Sequence, residues 1–112
     1  MLRKKISERA VEFILTRQYN DLKHLTSKKV AKNIGVNRLF LYLNFIKDLK
    51  TTLPNYIMKQ KIHEAFFILT RDKLKSVNEL SGELGFLNVD DFCFEFEKYY
   101  AIDPEGFKKL RN

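Results

Sequence analysis

Two histidines, one cysteine and fourteen carboxylates are the groups in this 112-residue chain to weigh first for acid–base, nucleophilic or metal chemistry. They are not arranged for it. His24 and His63 are isolated; the acid nearest to either, Glu64, follows His63 directly and projects from another side of a helix. Cys93 has no candidate base beside it and no second cysteine, which excludes an internal disulfide and a cysteine-rich zinc site. It is expected to pack beside Phe92. No glycine-rich phosphate loop occurs. The sequence therefore predicts no catalytic site, no metal and no cofactor.

What the chain does carry is charge in an uneven pattern. Residues 1–73 hold 16 Lys/Arg and 6 Asp/Glu, net +10, whereas residues 74–112 hold 5 and 8, net −3. The overall charge of +7 and the pI near 9.5 point to a polyanion, either nucleic acid or an anionic membrane. A lysine-rich composition alone also gives such a balance. The negative part is concentrated: Asp90, Asp91, Glu95 and Glu97 put four acids into eight residues.

The elements that must position these groups read as helices. Gly (4) and Pro (2) are scarce and few stretches alternate like strands. Leu2, Ile6, Ala10, Phe13 and Ile14 form one stripe, predicting a first helix over about 3–19. "NDLKHL" reads as a break. Thr26 or Ser27 caps a short helix that Gly35 ends. Asn37 caps "RLFLYLNFIKDL", closed by "KTT". Pro54 opens a helix over about 54–71 with Met58, Ile62, Ala65 and Leu69 on its buried side. "SVNE" is a capping box for a short helix to Leu84. After Gly85, Asn88 caps a helix whose core stripe is Phe92, Phe96 and Tyr99. Asp103 caps a last helix from Pro104. The expectation is an all-α chain of about seven helices, divided 1–52, 53–73 and 74–112.

"TSKKVAKNIGVN" and "SVNELSGELGFLN" follow one plan of cap, short helix, Gly turn, cap and longer helix, with Gly35 and Gly85 fifty residues apart. Each is a helix-turn-helix arrangement. At this point the chain resembles the AraC/XylS-type DNA-binding domain over nearly all of 7–111. "SVNELSGELGF" is similar to that family's Ser-Ile-x-x-Ile-Ala-x-x-x-Gly-Phe. "DDFCFEFEKYYAIDPEGFKK" is similar to its Tyr-Phe-Ser-Arg-x-Phe-Lys-Lys-x-x-Gly-x-x-Pro-x-x-Tyr-Arg, through Phe92, Phe96, Lys98, Pro104, Phe107 and Lys108. "KIHEAFFIL" is similar to its linker-helix motif, with Lys61 in place of Arg. The resemblance implies two helix-turn-helix units, 1–52 and 74–112, joined by a linker helix over 53–73, whose second helices enter successive major grooves. A linker of about 18 residues spans about 27 Å, against about 34 Å for one turn of DNA.

The departures from that pattern fall on the surfaces that would read DNA. In the first unit Leu41, Phe45 and Leu49 are expected inside. Leu39, Leu43 and Ile46 then face outward, with Phe40 and Tyr42 beside them, where the family usually has Ser, Arg and Lys at 42, 43 and 46. Three readings stay open for that apolar face: a protein or second-copy interface, cover by another part of the chain, or contact with thymine methyl groups. In the second unit Asp90, Phe94 and Glu97 face outward, where the family tends to place Arg and Lys at 94 and 97. Carboxylates there oppose phosphate. One acid can accept from cytosine, but four in so short a segment are hard to reconcile with tight docking.

The expected DNA contacts are Lys28 and Lys29, beside a helix N-terminus that favours phosphate, with Asn37, Arg38, Tyr42 and Lys47. Lys59 and Lys61 on the linker helix, Asn88 and Lys108 complete the set. Lys32, the arm Arg3-Lys4-Lys5, and Lys109 and Arg111 are further candidates. The leading expectation is sequence-specific binding of double-stranded DNA to control transcription, mainly through the first unit. The alternative is a protein-interaction or dimerisation domain on the same fold, using Leu39, Leu43 and Ile46. An amphipathic lipid-binding surface ranks last. No apolar run follows "LRKK" and no segment is long enough to cross a bilayer, so the expected location is cytoplasmic. The length leaves no room for a ligand-sensing domain, so the chain is expected to be either free-standing or part of a larger regulator.

Overall fold

The computed structural model describes residues 4–111. Leu2 and Arg3, which the sequence placed on the first stripe and in the basic arm, lie outside the described residues. Among those described there are eight helices and no strand: α1 (Ile6–Leu15), α2 (Tyr19–Leu22), α3 (Ser27–Ile34), α4 (Arg38–Leu49), α5 (Leu53–Arg71), α6 (Val77–Glu83), α7 (Val89–Tyr100) and α8 (Pro104–Arg111). The seven expected helices are all present. The eighth, α2, is a single turn inside the stretch read as a break. Its Leu22 is buried, so one apolar anchor holds a turn too short to show periodicity.

The chain forms two compact units, one running through Gln60 and the other starting at Lys61. The division falls inside α5, whereas the sequence reading set the whole of 53–73 apart as a linker. In the first unit α1 packs on α3 and α4. Its core is built from Ala10, Ile14, Val30, Ala31, Leu41, Phe45, Leu53 and Ile57, with Tyr56 edge-on to Phe45 at 5.4 Å. Two polar ties reinforce the apolar contact. The Ser7 hydroxyl donates to Asp48 Oδ2 at 2.6 Å, and Arg9 donates to the Ile34 carbonyl at the end of α3. The second unit packs α6 and α8 against α7 around an aromatic cluster. Phe66 stacks on Tyr100 at 4.5 Å and lies 4.8 Å from Phe107, and Phe96 joins Tyr100 at 5.0 Å.

Several sequence expectations need correction. Helix α1 stops at Leu15, not near residue 19, because the Thr16 hydroxyl turns back to the Glu12 and Phe13 carbonyls and competes with continued helix. Leu49 is 40% exposed and is not core. Tyr99 is 37% exposed, and Tyr100 takes the inward place. Pro54 sits one residue inside α5; Thr52 caps that helix by accepting from the Asn55 N–H at 3.2 Å. Met58 is only half-buried, and Ile57 and Ile68 carry more of the α5 packing.

Candidate nucleic-acid interface

The two helix-turn-helix units are built by the same backbone bonds, fifty residues apart. Thr26 accepts from the Lys29 N–H, and Ser76 accepts from the Glu79 N–H. At the other end the Val36 N–H donates to Ala31 and the Phe86 N–H to Ser81, while Gly35 donates to Lys32 and Gly85 to Gly82. Both glycines are left-handed, at φ 75° and 88°, a conformation glycine reaches without steric cost. Beyond the turns the offset becomes fifty-one. Asn37 caps α4 by accepting from Leu39 and Phe40, and Asn88 caps α7 by accepting from Asp91. The additional residue in the second turn is Leu87, which is 96% exposed. Helices α4 and α7 have twelve residues each, and both end on a left-handed residue, Lys50 and Ala101.

This register pairs the outward positions of the two second helices: Leu39 with Asp90, Leu43 with Phe94, Ile46 with Glu97 and Lys47 with Lys98. In α4, Leu39 is 64% and Leu43 58% exposed, Phe40 and Tyr42 are exposed, and Ile46 is half-buried. In α7, Phe94 is 68% exposed among exposed Asp90, Asp91 and Glu97. Glu95 is half-buried, 3.8 Å from the Lys98 ammonium. Both helices thus carry an apolar residue at the same outward place, but only α4 is surrounded by cations.

Those cations come from α3 and α4. Lys28, Lys29, Lys32, Arg38 and Lys47 are all exposed. The one acid on these two helices is Asp48, which accepts from the Ser7 hydroxyl. Ser27, Arg38 and Tyr42 line one small concavity with Leu53 and Pro54. The Ser27 hydroxyl is buried there without a hydrogen-bond partner. Thr26 takes the cap, which leaves Ser27 in the first turn facing this concavity. The sequence reading weighed Ser27 only as a cap, and the choice between the two hydroxyls was the missing signal. Asn44 does not face outward as a free amide: its Nδ2 donates to the Phe40 carbonyl at 2.8 Å.

The other expected contacts lie on other elements. Lys59 is exposed on α5 in the first unit. Lys61, Asn88 and Lys108 belong to the second unit. Lys61 is half-buried, and burial pulls its ammonium below the usual lysine range. Lys108 donates to the Lys75 carbonyl at 2.7 Å. Cys93 is half-buried; burial, then the carboxylates of Asp103 and Asp90, push its thiol up, the opposite of what a reactive thiolate needs. Among the described residues no group of His, Cys, Asp or Glu could hold a metal ion, and no helix is long and apolar enough to cross a membrane.

No protein-family model matches the chain. It is 31% identical over 104 residues to an uncharacterised helix-turn-helix-type transcriptional regulator of Pseudoalteromonas carrageenovora, covering 93% of this chain and 59% of that one. It is 28% identical over 99 residues to the Msm operon regulatory protein of Streptococcus mutans, covering 88% of this chain and 34% of the relative. The chain therefore spans a third to three-fifths of these relatives. Among solved structures, an AraC-type regulator from Chromobacterium violaceum matches with TM-score 0.80 at 20% identity, over 95% of this chain and 91% of that one. The DNA-binding domain of the transcriptional factor AdpA, solved with a target DNA, matches with TM-score 0.78 at 15% identity over 96% and 93%.

Proposed function

Taking the chain as an AraC-type double helix-turn-helix domain, we propose that it binds double-stranded DNA with sequence preference, as the DNA-binding part of a transcription regulator, mainly through the first unit. The observation that carries this is the cation field on α3 and α4, in which the one acid, Asp48 in the last turn of α4, is engaged by Ser7, and which is centred on a helix-turn-helix with intact caps. Lys28 and Lys29 lie in the first turn of α3, where backbone N–H groups already favour phosphate. Arg38 and Tyr42, both exposed beside the concavity they line with Ser27, offer donors to a second phosphate. Lys47 and Lys59 extend the positive surface. Asn37 and Asn88 act first as caps, so their role is to aim α4 and α7.

The second unit contributes less. The outward face of α7 opposes phosphate with Asp90, Asp91 and Glu97, and Lys108 already serves the Lys75 carbonyl. The exposure of Leu39 and Leu43 also fits the competing reading of a dimer or protein-partner surface; Ile46, half-buried, adds little to such a patch.

Fluorescence anisotropy with random and selected duplexes, at several salt concentrations, tests the reading. Affinity is expected to fall linearly on a log–log salt plot, and Arg38→Ala is expected to weaken binding by about tenfold or more and to reduce the slope by about one. Salt-independent binding, or an unchanged affinity for Arg38→Ala, counts against the first unit as reader. Light scattering on the free chain decides the dimer.

A further inference from the structure

Helix α4 is short of polar readers where it matters most. Leu41 and Phe45 are fully buried. On a helix of 3.6 residues per turn, Leu43 stands about 160° from both, at the centre of the outward face. Leu39 lies one turn before it and Lys47 one turn after it. The Asn44 amide is held by the Phe40 carbonyl. The ridge that would enter a groove first is therefore Leu–Leu–Lys.

We propose that Leu39 and Leu43 read thymine C5-methyl groups, so that the first unit prefers sites with thymines at the positions under α4. This rests on the DNA-binding reading above and names the base chemistry of the same surface. The major groove presents one apolar group, the thymine methyl, and packing against it needs no polar atom from the protein. Leu39 and Leu43 are four residues apart, about 6 Å along the helix axis, close to two base-pair steps. The surroundings choose DNA over a protein. The helices that carry and precede the ridge hold Lys28, Lys29, Lys32, Arg38 and Lys47, all exposed, against one acid, Asp48, which accepts from Ser7; this is a setting complementary to a polyanion.

The test uses the whole chain and a duplex selected from a random pool. Each thymine is replaced in turn by deoxyuridine, which pairs identically and lacks only the methyl. At one or two positions the wild-type chain is expected to lose about fourfold in affinity, the value of one buried methyl. Leu39→Ala and Leu43→Ala are expected to bind the thymine and deoxyuridine duplexes equally at the position each one covers. Arg38→Ala is expected to bind both more weakly and keep their ratio.

Tight binding to the selected duplex with no thymine–deoxyuridine difference at any position overturns the methyl proposal and leaves DNA binding standing. Failure to bind any duplex overturns both. Self-association of the free chain that Leu43→Ala abolishes, with DNA affinity unchanged, also overturns it and assigns the ridge to a second copy. Leu39 and Leu43 are exposed, so their truncation leaves the core intact, and the wild-type deoxyuridine comparison needs no variant.

Discussion

At the residue scale, the sharpest lesson is Tyr100. Tyr99 and Tyr100 follow Phe96 by three and four residues, and both spacings belong to one helical face. Helical periodicity gives no means of choosing between them. The choice is made by Phe66, whose ring stacks on Tyr100, and by His63, whose Nδ1 lies 2.8 Å from the Tyr100 hydroxyl. Both partners come from α5, more than thirty positions away. Burial raises the Tyr100 phenol above its ordinary range. Tyr100→Phe keeps the stack and removes the bond. It is expected to cost about 1 kcal/mol in urea denaturation followed by circular dichroism; no loss would mean that the hydroxyl contributes only by packing. Leu49 departs for a related reason: it keeps the spacing of Leu41 and Phe45, but beside α1 it lines an open concavity with Val11 and Leu15 instead of a closed core.

At the element scale, much of the fold was legible because its boundaries are chemical. Thr26, Asn37, Ser76, Asn88 and Asp103 all accept the N–H bonds their positions suggested. What escaped was whatever lacks a local signature: the single turn α2, and the early stop of α1 at Thr16. Two glycines separate cap from spacer. Gly35 is left-handed with open space around a notional Cβ, so Gly35→Ala meets no clash and its cost is conformational, about 1 kcal/mol. Gly82 lies within α6, also with open space, and Gly82→Ala is expected to stabilise by about 0.5–1 kcal/mol. Thermal melts of the two variants should move in opposite directions. A rise for both would show that the turn after α3 tolerates a side chain, and a fall for both that Gly82 is needed inside α6.

At the scale of the whole molecule, charge divides the work. Net positive charge is confined to residues 1–73, and α7 presents Asp90 and Glu97 where α4 presents Leu39 and Ile46 beside cations. Such a chain is expected to hold DNA by one tip and touch it lightly with the other. Glu97→Lys tests that division: it is expected to raise duplex affinity and steepen the salt slope by about one if α7 lies near phosphate. An unchanged slope would place α7 away from the duplex. The resemblance to a family motif revealed both units, but it did not reveal which still carries the means to bind, because that depends on exposed residues the fold does not constrain.

Helices α4 and α7 stop at Lys50 and Ala101, both left-handed at φ near 60° although neither is glycine. The motif that α7 resembles has glycine where Ala101 stands. Each of these two positions withholds about a kilocalorie that an achiral residue would release. Ala101→Gly should therefore raise the melting temperature while leaving the outward face of α7 untouched; a lower one would mean that the alanine methyl has found compensating contacts. The domain keeps slack at the tails of α4 and α7, and an engineer could take it up there without altering the outward face of either helix.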